Sequence, residues 1–155
     1  MCGIIALLRG PGARRDLPPS DVLDRLGSVQ GALEGADPIA AARAAAGLLE
    51  ELDELLRGPD GVALLVRNED VAARTAAVSA AAGDWVREVE ADLDAHGAPA
   101  THSLEDANAT LLRLKDALWA VARDRLPTAG GVRQLVGDRL SWSAIEMLTK
   151  YSNMP

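Results

Sequence analysis

The chain has 155 residues, of which 48% are hydrophobic, 3% are aromatic and 25% are charged. A domain of this size buries ~70% of the surface that its unfolded chain exposes, so it needs no disulfide or structural metal. Alanine supplies much of the hydrophobic content and phenylalanine is absent. Small, unbranched side chains favour packed helices over sheets, and the composition therefore predicts a mainly α fold.

Charge and hydropathy exclude two classes of partner. The 23 acidic and 16 basic residues give a net charge of −7, which repels nucleic acids and anionic lipid, and the basic residues form no stripe. No apolar stretch approaches the roughly 18 residues of a membrane span, and residues 1–20 lack a signal-peptide pattern. We expect a cytoplasmic protein without nucleic-acid or membrane partners, and the single cysteine, Cys2, agrees with a reducing compartment.

The chain begins with a short apolar run, Cys2–Leu8, closed by the turn-forming residues 9–12. This pattern predicts one short N-terminal β-strand. Residues 13–140 then have the composition of a helical module, and residues 141–155 predict a further helix. Because the sequence stops soon after that helix, we expect the chain to be a fragment whose remainder lies beyond Pro155.

The first two helices are predicted from their end signals. One should begin at Ser20 and end at Gly35, and the next should begin at Asp37, an N-cap residue followed by proline. Glycine and proline after Arg57 should end the second helix, which carries a leucine stripe. The acidic run Glu50–Glu54 lies opposite that stripe, and we expect it to be a solvated face.

The next segments are less uniform. The apolar run Gly61–Val66 fits either a strand or one buried helical turn, since six residues do not separate the two periods. A long helix should begin near Glu69 and end at Gly97. Its apolar stripe consists of Val78, Ala82, Trp85, Val86, Val89 and Leu93.

The last part of the helical module should begin at Ser103, which with Asp106 resembles a capping arrangement. We expect Pro127 and the pair Gly130–Gly131 to break this helix and leave a short separate segment after them. The predicted fold class is thus a bundle of four to six amphipathic helices with one short N-terminal strand.

The first residues carry the most specific signal. Met1–Ala6, MCGIIA, resembles the start of the class II glutamine amidotransferases, and its wording is closest to the glucosamine-6-phosphate synthase branch, which makes amino sugars. The resemblance implies that Met1 is removed, that Cys2 becomes the N-terminal nucleophile and that glutamine is the substrate. It also implies that Cys2–Leu8 is a strand of the central sheet.

The implied chemistry explains why the thiol would lie at the amino terminus. A thiolate is a strong nucleophile, and a free α-amine with a pKa of ~8 can act as its general base directly or through water. Only the first residue of a chain carries both groups. Attack on the side-chain amide of glutamine would give a γ-glutamyl thioester, then glutamate and ammonia.

Most of the family's other motifs are missing. The arginine-containing segments that bind glutamine and the asparagine–glycine pair of the oxyanion hole do not occur, so Cys2 alone is carried over. Because an oxyanion hole contributes ~10²–10³ in rate, we expect the 155-residue chain alone to be inactive. Residues 13–140 would be a helical insertion with a regulatory or docking role, and the rest of the enzyme would be its partner.

A second interpretation of the same residues stays open. Unreactive cysteines are common small hydrophobic residues, and Cys2 would then be incidental in a small cytoplasmic helical protein that binds a protein partner on a helical face.

Other candidate sites are weaker. His96 and His102 lie near several carboxylates, but their spacing matches no established zinc motif, so we expect solvated loop residues and no metal. No phosphate-cradling glycine motif occurs, and no cofactor is predicted. Trp85, Trp119 and Trp142 should pack in the core or at a docking face.

Overall fold

The structure, a computed structural model, describes residues 17–136. Cys2, the predicted strand Cys2–Leu8 and the predicted helix at 141–155 lie outside these residues. The described part consists of six α-helices and one π-helical turn: α1 (Pro19–Leu33), α2 (Pro38–Leu56), α3 (Pro59–Arg67), α4 (Glu69–His96), α5 (Leu104–Trp119), the π-helical turn (Ala120–Arg125) and α6 (Leu126–Val136). The prediction of a mainly helical bundle is confirmed, and residues 17–136 contain no strand.

Two predicted helix starts are confirmed by the hydrogen bonds of their caps. Asp37 Oδ1 accepts from the backbone N–H groups of Ile39 (2.9 Å) and Ala40 (3.1 Å) at the start of α2. Ser103 Oγ accepts from the N–H of Asp106 (3.1 Å) at the start of α5. Each cap satisfies donors that have no partner within the helix, which fixes where the helix begins.

The ambiguous apolar run Gly61–Val66 is helical and lies in α3, where all six residues are buried. A helix that is apolar all round must be covered on every side. Gly61 allows the closest approach, because a Cβ atom built on it would lie 2.4 Å from Leu56 Cα. The start of α3 therefore packs directly against the backbone at the end of α2.

The predicted break at Pro127 and Gly130–Gly131 is wrong. The chain continues from α5 through the π-helical turn into α6, and Leu126 N–H donates to the carbonyl of Val121 five residues earlier. A proline ring clashes with the carbonyl four residues before it in a regular α-helix. The wider π-helical turn changes the hydrogen-bond register just before Pro127, so the helical path continues.

Helix α2 is the centre of the bundle. It packs most extensively against α5 and α1, while α1 also packs against α4, and α3 packs against α6. The interior is built from alanine, leucine and valine, as the composition predicted. The largest fully buried side chains are Leu26, Ile39, Leu49, Leu52, Leu56, Leu65, Leu111, Leu114, Val22, Val29 and Val62.

Candidate functional site

An open groove of about 900 Å³ runs along the surface between α2 and α5. Four small residues and eight larger ones line it, and most of the larger ones are charged. The small residues are Gly47, Ala109, Ala117 and Ala120, and the other lining residues are Glu50, Glu51, Asp53, Glu54, Arg57, Leu112, Arg113 and Asp116. We call this feature the α2–α5 groove.

The outer face of α5 leaves large apolar side chains in solvent. Leu112 is 59% exposed and Trp119 is 60% exposed, and they lie one heptad apart on the same face of the helix. Asp116 lies between them, four residues after the leucine. We call Leu112, Asp116 and Trp119 the α5 ridge; Leu112 and Asp116 line the groove directly.

Most carboxylates of the groove are already paired with arginine. Glu50 accepts two hydrogen bonds from Arg113, at 2.7 and 2.6 Å, and these bonds hold the pKa of Glu50 below its ordinary value. Glu54 pairs with Arg57 at 2.9 Å. Asp116 differs, because within residues 17–136 its carboxylate has no hydrogen-bond or ion-pair partner.

One carboxylate of the acidic run is buried, contrary to the prediction of a solvated face at Glu50–Glu54. Asp53 is only 5% exposed and accepts from Arg125 Nε and from Arg57, both at 2.6 Å. Burial by itself raises the pKa of Asp53, but the two arginines overcome this effect and hold that pKa below its ordinary value. Arg125 lies 72 residues from Asp53 in the chain, so a local charge pattern could not reveal this pair.

His102 is likewise not a solvated loop residue. Its Nε2 lies 2.8 Å from Asp37 Oδ2, its Nδ1 lies 3.2 Å from Asp106 Oδ2, and its side chain is 14% exposed. Asp106 also accepts two hydrogen bonds from Arg43, at 3.0 and 2.9 Å. We call His102, Asp37 and Asp106 the His102 cluster; it connects the loop before α2 to the start of α5.

The second histidine is exposed, as predicted, but it lies in a helix and not in a loop. His96 is the last residue of α4, is exposed, and lies 2.9 Å from Asp92 one turn earlier. Within residues 17–136, no group of three or more histidine, cysteine or acidic side chains is arranged to hold a metal ion. No helix in this same stretch combines the length and the apolar character that crossing a membrane requires.

The two described tryptophans lie in different environments. Trp85 is partly buried against the core, whereas Trp119 is exposed on the α5 ridge, and Trp142 lies outside the described residues. The groove itself was not predicted from the sequence. Its only sequence signal is that Leu112 and Trp119 fall outside the apolar stripe of their own helix.

The groove combines charged and apolar groups on one open surface. Its lining residues provide carboxylates, guanidinium groups and small or apolar side chains, with no hydroxyl, thiol or imidazole among them. Carboxylates whose pKa is lowered by arginine are weak bases, so a general-base role is disfavoured for Glu50 and Asp53.

In comparisons with known proteins, no family model, no curated protein and no solved structure matches this chain.

Proposed function

We propose that the helical bundle is a docking module and that its α2–α5 groove binds an amphipathic α-helix of a partner protein. That helix would carry an apolar stripe flanked by lysine or arginine. The observation that carries the proposal is the α5 ridge, where two large apolar side chains flank a carboxylate that has no partner within residues 17–136, beside an open groove.

The apolar part of the ridge provides the binding energy. Covering a leucine side chain contributes roughly 1.5–3 kcal/mol, and tryptophan is among the residues that most often dominate binding interfaces. Leu112 and Trp119 are the two most exposed large hydrophobic residues in the described part of the chain. A partner with an apolar stripe would remove both from water.

The charges of the groove select the partner's polar residues. Five carboxylates and two arginines line it, and Asp116 is left without a cation within the described residues. A cationic side chain beside the partner's apolar stripe would supply the missing partner of Asp116. Charge complementarity of this kind raises the association rate and rejects acidic helices.

The shape of the groove favours a helix over an extended peptide. Packed helices lie ~8–10 Å apart between their axes, and small side chains at the contact allow the closer approach. Gly47 of α2 has no atom within 4 Å of the position where a Cβ would lie, so its surface is open to a third helix. An added strand would need a sheet edge, and residues 17–136 contain no strand.

A model peptide tests the proposal on the full 155-residue chain. The probe is an acetylated and amidated peptide of lysine, leucine and alanine, about 16 residues long, with its leucines on one helical face. Calorimetry should detect binding that weakens as salt rises, because ion pairs are screened. Trp119→Ala and Leu112→Ala should each weaken it by roughly tenfold or more.

Matched controls separate binding at the groove from non-specific hydrophobic binding. Leu104→Ala removes a leucine that is 52% exposed on the same helix but belongs neither to the α5 ridge nor to the lining of the groove, and it should leave the affinity unchanged. A peptide of identical composition with its leucines scattered round the helix should bind far more weakly. Equal affinity for both peptides, or equal losses in Leu104→Ala and Leu112→Ala, would contradict the proposal.

A second candidate function is favoured by the sequence Met1–Ala6 and by nothing in residues 17–136. We propose that Cys2 is the N-terminal nucleophile of a class II glutamine amidotransferase and that the helical bundle is a module within that larger enzyme. The residue type and its position support this proposal, because only a first residue offers a thiol and an α-amine together.

Two measurements test this second candidate. Intact-mass analysis of the protein from its native cell should show that Met1 is absent, and retained Met1 would contradict the proposal. A diazo-ketone analogue of glutamine should label Cys2 in a longer gene product but not in the 155-residue chain. A longer product that resists labelling would also count against it.

A further inference from the structure

The His102 cluster has a geometry that only one protonation state of the imidazole satisfies. Both ring nitrogens face carboxylate oxygens, at 2.8 Å to Asp37 and 3.2 Å to Asp106. A neutral imidazole has one N–H donor and one lone pair, whereas an imidazolium has two donors. The neutral form would leave one lone pair against a carboxylate oxygen, which is repulsive.

The cluster joins two separate parts of the chain. Asp37 is also the N-cap of α2, and His102 directly precedes Ser103, the N-cap of α5. His102 N–H further donates to the carbonyl of Pro99 at 2.9 Å, which orders the loop that carries the ring. A change at the imidazole therefore acts on two helix starts together.

We propose that the His102 cluster is a proton-dependent clasp that holds the loop before α2 against the loop before α5 while the imidazole is charged and releases it on deprotonation. This inference is independent of the docking proposal, because no residue of the cluster lines the α2–α5 groove.

The charged groups around the ring favour the imidazolium. Asp37 approaches it from the start of α2, Asp106 approaches it from the first turn of α5, and Arg43 of α2 is paired with Asp106 on the far side. The positive end of α5 opposes a charge on His102. The hydrogen bond from the ring to Asp37 is the main cause that raises the pKa of His102 above 6.5, against the opposing effect of desolvation.

The same contact acts on the carboxylate. The hydrogen bond from His102, followed by the one from the N–H of Ala40, holds the pKa of Asp37 below 3.8. Asp37 is therefore charged throughout the pH range in which His102 titrates, and it is the imidazole that opens or closes the clasp.

An NMR titration of the full 155-residue chain tests the clasp directly. With ¹⁵N-labelled histidine, the His102 ring should titrate with a midpoint above 6.5. The backbone amides of Ile39, Ala40 and Asp106 should shift with that same midpoint, because they bond to the two caps. A His102 midpoint at or below 6.5, or amides of Ile39 and Ala40 that do not follow the ring, would overturn the proposal.

The matched variant is Asp37→Asn, because asparagine is as good an N-cap as aspartate but carries no charge. It should lower the His102 midpoint while α2 still begins at the same residue. His96→Gln is the control, since His96 lies outside the cluster, and it should leave the His102 midpoint and the three amide titrations unchanged. An unchanged midpoint in Asp37→Asn would overturn the proposal.

Discussion

Helices α3 and α5 both contain leucine and alanine, but they differ in how much of their apolar surface is buried. In α3 six consecutive residues, Gly61–Val66, are buried, although the helix has only nine residues. In α5 one face is buried, yet Leu112 and Trp119 stay about 60% exposed. The fold thus buries the whole apolar run of α3 and leaves large apolar side chains in solvent on α5.

This difference in burial indicates which residues stabilise the fold and which are available for binding. Scattered exposed leucines are ordinary, but large apolar residues on one face, beside a groove and a carboxylate that no described residue pairs with, are typical of a binding surface. Substitutions in and around α3 should therefore change the free energy of unfolding. Substitutions on the α5 ridge should change binding and leave stability nearly intact.

The largest expected effect comes from the buried carboxylate beneath the groove. Asp53→Ala leaves Arg125, which is 8% exposed, without its ion-pair partner, and breaking a buried pair costs about 3–5 kcal/mol. Glu54→Ala removes the neighbouring exposed carboxylate and should cost only about 0–1 kcal/mol. Urea unfolding of both variants measures the two losses of unfolding free energy. Equal losses would show that burial does not make Asp53 more important for stability than Glu54.

A leucine from each helix gives the next contrast. Leu65→Ala in α3 removes a side chain with no exposed surface and should destabilise the protein by about 2–5 kcal/mol. Leu112→Ala on the α5 ridge should change the unfolding free energy by about 0.5 kcal/mol or less. If Leu112→Ala destabilised the bundle as much as Leu65→Ala, the ridge would be part of the core.

Two glycines provide a smaller contrast of opposite sign. A methyl group at Gly61 would lie 2.4 Å from Leu56 Cα and 2.6 Å from Leu55 O, so Gly61→Ala should destabilise the protein by about 1–3 kcal/mol. Gly47→Ala meets no atom within 4 Å and should stabilise α2 by about 0.5–1 kcal/mol. Thermal unfolding of the two variants measures both signs.

The smallest effect is the pH dependence of stability from the His102 cluster. The raised pKa of His102 stabilises the folded state. This contribution to the free energy of unfolding is complete below pH 6.5 and is lost as pH rises through the folded-state pKa of His102. The lowered pKa of Asp37 also stabilises the folded state. Its contribution to the free energy of unfolding is present above pH 3.8 and is lost as pH falls through the folded-state pKa of Asp37.

Urea unfolding midpoints measured as a function of pH test the direction of each change in stability. The midpoint of the unchanged protein should fall on the alkaline side more than that of His102→Gln, whereas His96→Gln should follow the unchanged protein. Identical alkaline slopes in the protein and in His102→Gln would contradict the linkage.

Local signals predicted the helices well, because caps act within a few residues. Asp37 and Ser103 fixed two helix starts through side-chain oxygens that accept from the next turn. The run at Gly61–Val66 could not be assigned, since its burial depends on α2, α4 and α6. The helix beyond Pro127 was mispredicted because a π-helical turn has no recognised sequence pattern that offsets proline's effect.

The candidate site was beyond sequence reasoning for a related reason. The groove is lined by residues of α2 and α5 that lie more than fifty residues apart in the chain. The same holds for Asp53 with Arg125 and for His102 with Asp37, which meet only after the helices pack. The composition shows which charged residues are able to form ion pairs, but it does not show which two residues meet in the folded chain.

The most direct test of the central claim is an amide NMR titration of the full chain with the lysine and leucine peptide. We predict shifts at Gly47, Ala109, Leu112 and Asp116 and at the indole N–H of Trp119, with residues of α3 unmoved. Shifts that avoid the α2–α5 groove, or no shifts at peptide concentrations that saturate the calorimetric signal, would contradict the assignment of this surface to binding.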